Sequence, residues 1–143
     1  MEIINKTNKV FYHGSPFLSK ELQPILARGE GEFQNQEAVY LTDIFEHAAI
    51  YAIGKTLKGK TWFAITPDTI YVAGKEHKLD IGYVYSVVPK TYIIGEKHQF
   101  YTKETLLPMK VTKVFPEHYS KHIKFFKDKE TFKEFVLANN HLF

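Results

Sequence analysis

The chain contains no cysteine. Disulfide bridges, thiolate zinc sites and a cysteine nucleophile are thereby excluded. Arginine is almost as scarce: among 19 basic residues, only Arg28 is an arginine. The planar guanidinium fork is the usual device for gripping phosphates and guanine edges, so a dedicated nucleic-acid reader is not expected. The formal charge of +3 is modest, and the lysines are scattered along the chain as on a solvated surface. No run approaches eighteen consecutive apolar residues, which excludes a helical membrane span and a membrane partner of that kind. Met1 to Lys9 is polar and lacks the apolar stretch of a secretory leader. A cytoplasmic location is the expectation, although an exported toxin or effector would look the same.

What remains is globular in character. At 143 residues, with 44% hydrophobic and 24% charged residues, the chain is long enough for one core and too short for two ordinary ones. A single domain over residues 1–143 is expected. The aromatic share of 15% is high and suits the pleated, half-buried surface of strands.

Local patterns place the elements. Residues 9–13 read as a strand stopped by Gly14-Ser15-Pro16. Residues 18–22 suggest a short helical turn before Pro24, and the polar stretch 27–37 reads as a surface loop. Residues 39–41 form a short strand. Thr42 or Asp43 then caps a helix over 44–53, with Gly54 ending it. Ala48, Ala49 and Ala52 would let that helix lie close to a sheet. Further strands are expected at 61–66, 69–72, 83–88, 98–102 and 109–115, with 123–126 as a last edge strand. Residues 129–139 read as an amphipathic helix capped by Asp128, with Phe132, Phe135 and Val136 on one face. The class is α+β.

Two local patterns offer chemistry. His13 ends a strand and is followed by Gly14, whose missing side chain would let a ligand approach the backbone donor and acceptor, as a carboxamide requires. The same four residues, Tyr12 to Ser15, also read as an ordinary strand end and turn. Tyr40 and Tyr51 stand eleven residues apart, one on a strand and one on the following helix. They can face a common slot for a flat aromatic ligand, or they can be core packing.

Together these patterns are more specific. The run FYHGS, the Leu-x-Pro at Leu22 to Pro24, and AVYLTDIFEHAAIYA resemble the NAD-binding half of the ADP-ribosyltransferase superfamily, in its diphtheria-toxin and poly(ADP-ribose)-polymerase-like, His-Tyr-Glu branch. GYVYSVVPKTY and HQFYTKETLLPMKVTKV resemble its second half, so the likeness spans roughly residues 9–115. The resemblance implies a split, mixed or antiparallel β-sheet core with a few flanking helices, and NAD as substrate. It implies that His13 bonds ribose hydroxyls, Gly14 pairs with the nicotinamide carboxamide, and Tyr40 and Tyr51 sandwich the nicotinamide ring. Ser15, Lys20 or Arg28 would meet the diphosphate. The acceptor of ADP-ribose, protein or nucleic acid, is not specified by the chain, nor is an oligomeric state.

One departure stands out. Where the branch carries its catalytic glutamate, this chain has Gln99. A carboxamide keeps the hydrogen bond to the ribose but loses the charge that steadies an oxocarbenium-like transition state. Glu96 or Glu104 would supply an acid if the register differs. The expectations are therefore a mono-ADP-ribosyltransferase using Gln99, Tyr51 and His13, or an inactive NAD or ADP-ribose binder of the same fold. An RNA 2′-phosphotransferase is a third, disfavoured by the single arginine. The remaining histidines show no metal-ligand spacing, so no metal is expected.

Overall fold

The computed structural model describes residues 2–4, 8–26 and 37–143. In chain order the strands are β1 (Glu2–Ile4), β2 (Phe11–Ser15), β3 (Ile25–Leu26) and β4 (Glu37–Thr42), followed by helix α1 (Phe45–Lys55). Then come β5 (Phe63–Thr66), β6 (Thr69–Ala73), β7 (Gly82–Val87), β8 (Tyr92–Ile94), β9 (Gln99–Thr102) and β10 (Lys110–Val114). A 3-10 segment at Pro116–His122, strand β11 (Ile123–Phe126), helix α2 (Lys129–Ala138) and a last 3-10 turn complete the α+β architecture.

The larger sheet runs β1-β8-β9-β4-β2-β7-β10, with β3 paired to β4 off that path, and the smaller runs β11-β6-β5. Every pairing in the larger sheet is antiparallel, and β11 pairs with β6 in parallel. Helix α1 crosses β2 and β7 on one face of the larger sheet. Ala48, Ala49 and Ala52 are fully buried in that crossing, as their small size suggests. Ile50, Ile53, Leu57, Ile70, Val72 and Val84 share their core. The opposite face carries a second core of Phe11, Val39, Leu41, Tyr85, Val87 and Phe100. No helix among the described residues is long and apolar enough to cross a membrane.

Several boundaries differ from the sequence reading, each for a reason of packing. β2 continues through Gly14 and Ser15, which pair with Val84 and Tyr83 of β7; the expected loop signal is overridden by a long-range ladder. α1 does not stop at Gly54 but includes it. It does not serve as a left-handed helix end; a Cβ added there would lie 2.6 Å from the end of the Ile65 side chain, which would have to shift. Neither Thr42 nor Asp43 caps α1 through its side chain; Ile44 occupies the cap position without a side-chain bond. The helical turn at 18–22 is absent, and Leu22 instead exchanges two main-chain hydrogen bonds with Leu106. The proposed loop at 27–37 lies outside the described residues except for Glu37, which begins β4. The carboxylate of Asp128 does cap α2, accepting from the Thr131 N–H at 2.9 Å.

Candidate functional site

The site begins where the larger sheet comes apart. β2 and β4 are neighbours, yet their register contains the single pair Tyr12 and Thr42. β2 pairs with β7 along its whole length, and β4 pairs with β9 from Val39 to Thr42. Past Tyr12 the two strands therefore diverge while each stays anchored on its far side.

Main-chain direction follows from the ladders. The Ser86 carbonyl accepts the Met109 N–H at 2.8 Å, on the β10 side. Backbone groups of successive strand residues alternate between neighbours, so those of Tyr83, Tyr85 and Val87 turn toward β2. Their partners Ser15, His13 and Phe11 turn back toward β7. Those of Tyr12 and Gly14 are left facing β4. Tyr12 meets Thr42 there, whereas Gly14 has no β4 partner in the register. Its N–H and C=O face the opening.

Gly14 is glycine for a reason the sequence did not disclose. A Cβ at this position would lie 2.1 Å from the Ala48 carbonyl oxygen and 3.2 Å from the Ala52 nitrogen. Its backbone is not in the positive-φ region, which among the described glycines is occupied by Gly59 and Gly74. The absent side chain admits helix α1, and the peptide edge remains for other use. Gly82 plays the same part on β7, where a Cβ would lie 2.7 Å from that of Ala52.

His13 leaves β2 on the face opposite α1, shared with its cross-strand partner Tyr85. Its Nδ1 lies 2.7 Å from the Tyr40 carbonyl oxygen. A carbonyl only accepts, so Nδ1 carries the proton and Nε2 is left as an acceptor in the neutral ring. Burial pushes the imidazole below its ordinary pKa, outweighing the opposing effect of that hydrogen bond. The ring is thus held neutral at the divergence of the strands.

Tyr40 and Tyr101 face each other across the β4–β9 ladder, with ring centroids 6.0 Å apart. Tyr51 projects from the α1 turn between Ala48 and Ala52, the turn seated on Gly14. It is 45% exposed, its phenol pKa is raised by burial, and the Lys55 ammonium lies 5.7 Å from its ring centre. Among the described residues, no ring contact joins Tyr40 to Tyr51 or either of them to His13. What the fold brings together is the His13 side chain with the Tyr40 main chain, and Gly14 with the turn that carries Tyr51.

Gln99 starts β9 opposite Thr42, on the same sheet face as Tyr40 and two residues from Tyr101. It is exposed. Of the alternative acids, Glu104 is committed elsewhere. Its carboxylate accepts from the N–H groups of Lys90 and Thr91, at 3.2 and 2.6 Å, and from the Thr91 hydroxyl. Glu96 is exposed in the turn that precedes β9. The Ser15 hydroxyl accepts the Phe17 N–H at 3.1 Å, Lys20 is exposed, and Arg28 lies outside the described residues. The segment after Ser15 is fastened by Tyr85, whose hydroxyl donates to the Phe17 carbonyl and accepts from the Ser19 N–H, both at 2.7 Å. No three His, Asp or Glu side chains among the described residues are grouped to hold a metal. Two shallow surface hollows lie elsewhere, one beside Gln23 and Lys103 and one at the start of α2.

One further cluster carries no motif in the sequence. Asp43 ends the turn after β4, and its Oδ1 lies 2.7 Å from His98 Nδ1 while its Oδ2 lies 3.2 Å from Lys9 Nζ. The ring of His47, on α1, stands 6.0 Å from that of His98, edge to face. Partial burial pushes the Asp43 carboxyl up, but the bonds from His98 and Lys9 outweigh it and hold its pKa below the ordinary value. Burial, and then the proximity of His98, push His47 down. No local signal marked this pair, since 55 residues separate its members; only the β4–β9 register makes them neighbours.

Comparison of the chain with protein-family models, with curated proteins and with solved structures finds no match.

Proposed function

We propose that the chain binds NAD in the opening between β2 and β4 and transfers its ADP-ribose to an acceptor, with loss of nicotinamide. The observation that carries this reading is the conjunction at Gly14. A peptide edge without a strand partner faces the opening, directly beside the helical turn that bears Tyr51 and next to an imidazole fixed in one tautomer. A carboxamide has one donor and one acceptor face, which is what such an edge complements. Tyr40 and Tyr51 would border the flat ring, and the acceptor nitrogen of His13 suits a ribose hydroxyl. The resemblance of the FYHGS and VYLT…AAIYA segments points to the same ligand.

The chemistry would rest on positioning and on charge stabilisation of a cationic sugar. Gln99 would reach the ribose with a carboxamide in place of a carboxylate, which predicts slow turnover. That same feature favours the second reading, a module that holds NAD or ADP-ribose without breaking it, because Glu104 is engaged with Lys90 and Thr91. Titration calorimetry with NAD, paired with chromatographic assay of free nicotinamide, separates the two. Binding with release supports transfer, and binding without release supports the module. No binding at millimolar NAD removes the cleft from consideration.

A further inference from the structure

We infer that His98, held by Asp43, is the general base that activates the acceptor at the proposed cleft; the inference rests on the NAD reading above. His98 immediately precedes Gln99, so its Cα lies about 3.8 Å along the chain from the residue assigned to the ribose. Its Nδ1 is occupied by the Asp43 carboxylate at 2.7 Å. An ionised carboxylate only accepts, so Nδ1 bears the proton and Nε2 of the neutral ring carries a lone pair. The side chain is 53% exposed, so this lone pair is offered to an incoming molecule. Asp43 itself is 19% exposed and anchored at its other oxygen by Lys9, which fixes the direction of the imidazole.

A carboxylate-oriented imidazole with one free nitrogen is the arrangement that draws a proton from a hydroxyl or water. In the step proposed, the bond between C1′ of the ribose and the nicotinamide nitrogen breaks, and nicotinamide leaves with the bonding electron pair. The acceptor oxygen bonds to C1′, and its proton passes to His98 Nε2. The imidazolium so formed is stabilised by Asp43. The charged or titratable groups around His98 are Asp43 from the β4–α1 turn, Lys9 through Asp43, and His47 from α1; Glu46 and Asp68 act on His47 in turn.

The test is the rate of nicotinamide release from NAD, with water as acceptor, in the native chain and in His98→Gln and Asp43→Asn. In His98→Gln the rate should fall by about 10², with NAD affinity by calorimetry unchanged. Asp43→Asn removes the charge that stabilises the imidazolium formed in the step, so its rate should fall as well, again with NAD affinity unchanged. A native-like rate in His98→Gln overturns the assignment. Native protein that binds NAD without releasing nicotinamide also overturns it while leaving the cleft standing, and absence of NAD binding overturns both.

Discussion

The His13 imidazole donates from Nδ1 to the main-chain carbonyl of Tyr40 across 2.7 Å, at the point where β2 and β4 part. This bond joins strands that share one register pair, and it makes the state of one ring a property of the whole opening.

The ring should impose a pH dependence on stability. Its folded pKa is depressed by burial, so on acidification the unfolded chain takes up a proton before the folded chain does. Stability should be full above the ordinary histidine value of about 6.5. It should fall as pH drops below that value, and level off beneath the folded pKa. His13→Gln retains a donor for Tyr40 but does not titrate. Melting temperatures of the two proteins from pH 8 to pH 5 should diverge, with the native chain losing more; parallel curves would refute the assignment.

Gly14→Ala should be among the costliest single-methyl insertions in the molecule. The new Cβ would meet the Ala48 carbonyl at 2.1 Å, a backbone atom that moves only if α1 moves. A loss of about 3 kcal/mol or more in urea unfolding is expected, at the upper end for overpacking. Gly59→Ala is the control. It has a positive φ of 84° and nothing within 4 Å, so its cost should be about 1 kcal/mol, from backbone strain alone.

Tyr51→Ala should leave the fold nearly intact, because the side chain is 45% exposed. Loss of one stacking face is worth roughly 0.5–1.5 kcal/mol beyond area burial, which corresponds to NAD affinity weaker by up to about tenfold. Equal affinity by calorimetry would take Tyr51 out of the site.

Gln99→Glu asks whether the opening is complete apart from its acid. The position is exposed, at the start of β9, so the fold should tolerate the change. Nicotinamide release should increase by about 10²–10³, the scale of one electrostatic group in such a site. An unchanged rate would mean that Gln99 does not contact the ribose.

Sequence periodicity served well where an element is defined by its own residues. The alanines of α1, the Asp128 cap and the run Ile123–Phe126 are local signals, and they appear where local chemistry puts them. It served less well where a distant segment decides. Ser15 is a strand residue because Tyr83 lies opposite, and Gly54 is a buried residue inside α1, packed beside the Ile65 side chain, rather than its terminator. β8 was hidden within a run of strand formers interrupted by Pro89, and its limits are set by pairing to both β1 and β9. In the candidate site, residue types were legible but their directions were not. The imidazole of His13 and the helix bearing Tyr51 occupy opposite faces of the sheet, a relation set by strand parity and the position of α1. The Asp43–His98 pair was not legible at all, since neither residue has a distinguishing neighbour in the chain.

The hydrogen-bonding edge at Gly14 belongs to the peptide group, and this makes it unusually durable. Exchanging side chains along β2 leaves its donor and acceptor in place, so long as the strand still follows β7 and leaves β4. Proline at that residue, or a slip of one step against β7, would erase it. Evolution or design can therefore rework the walls of the opening freely while its floor stays the same.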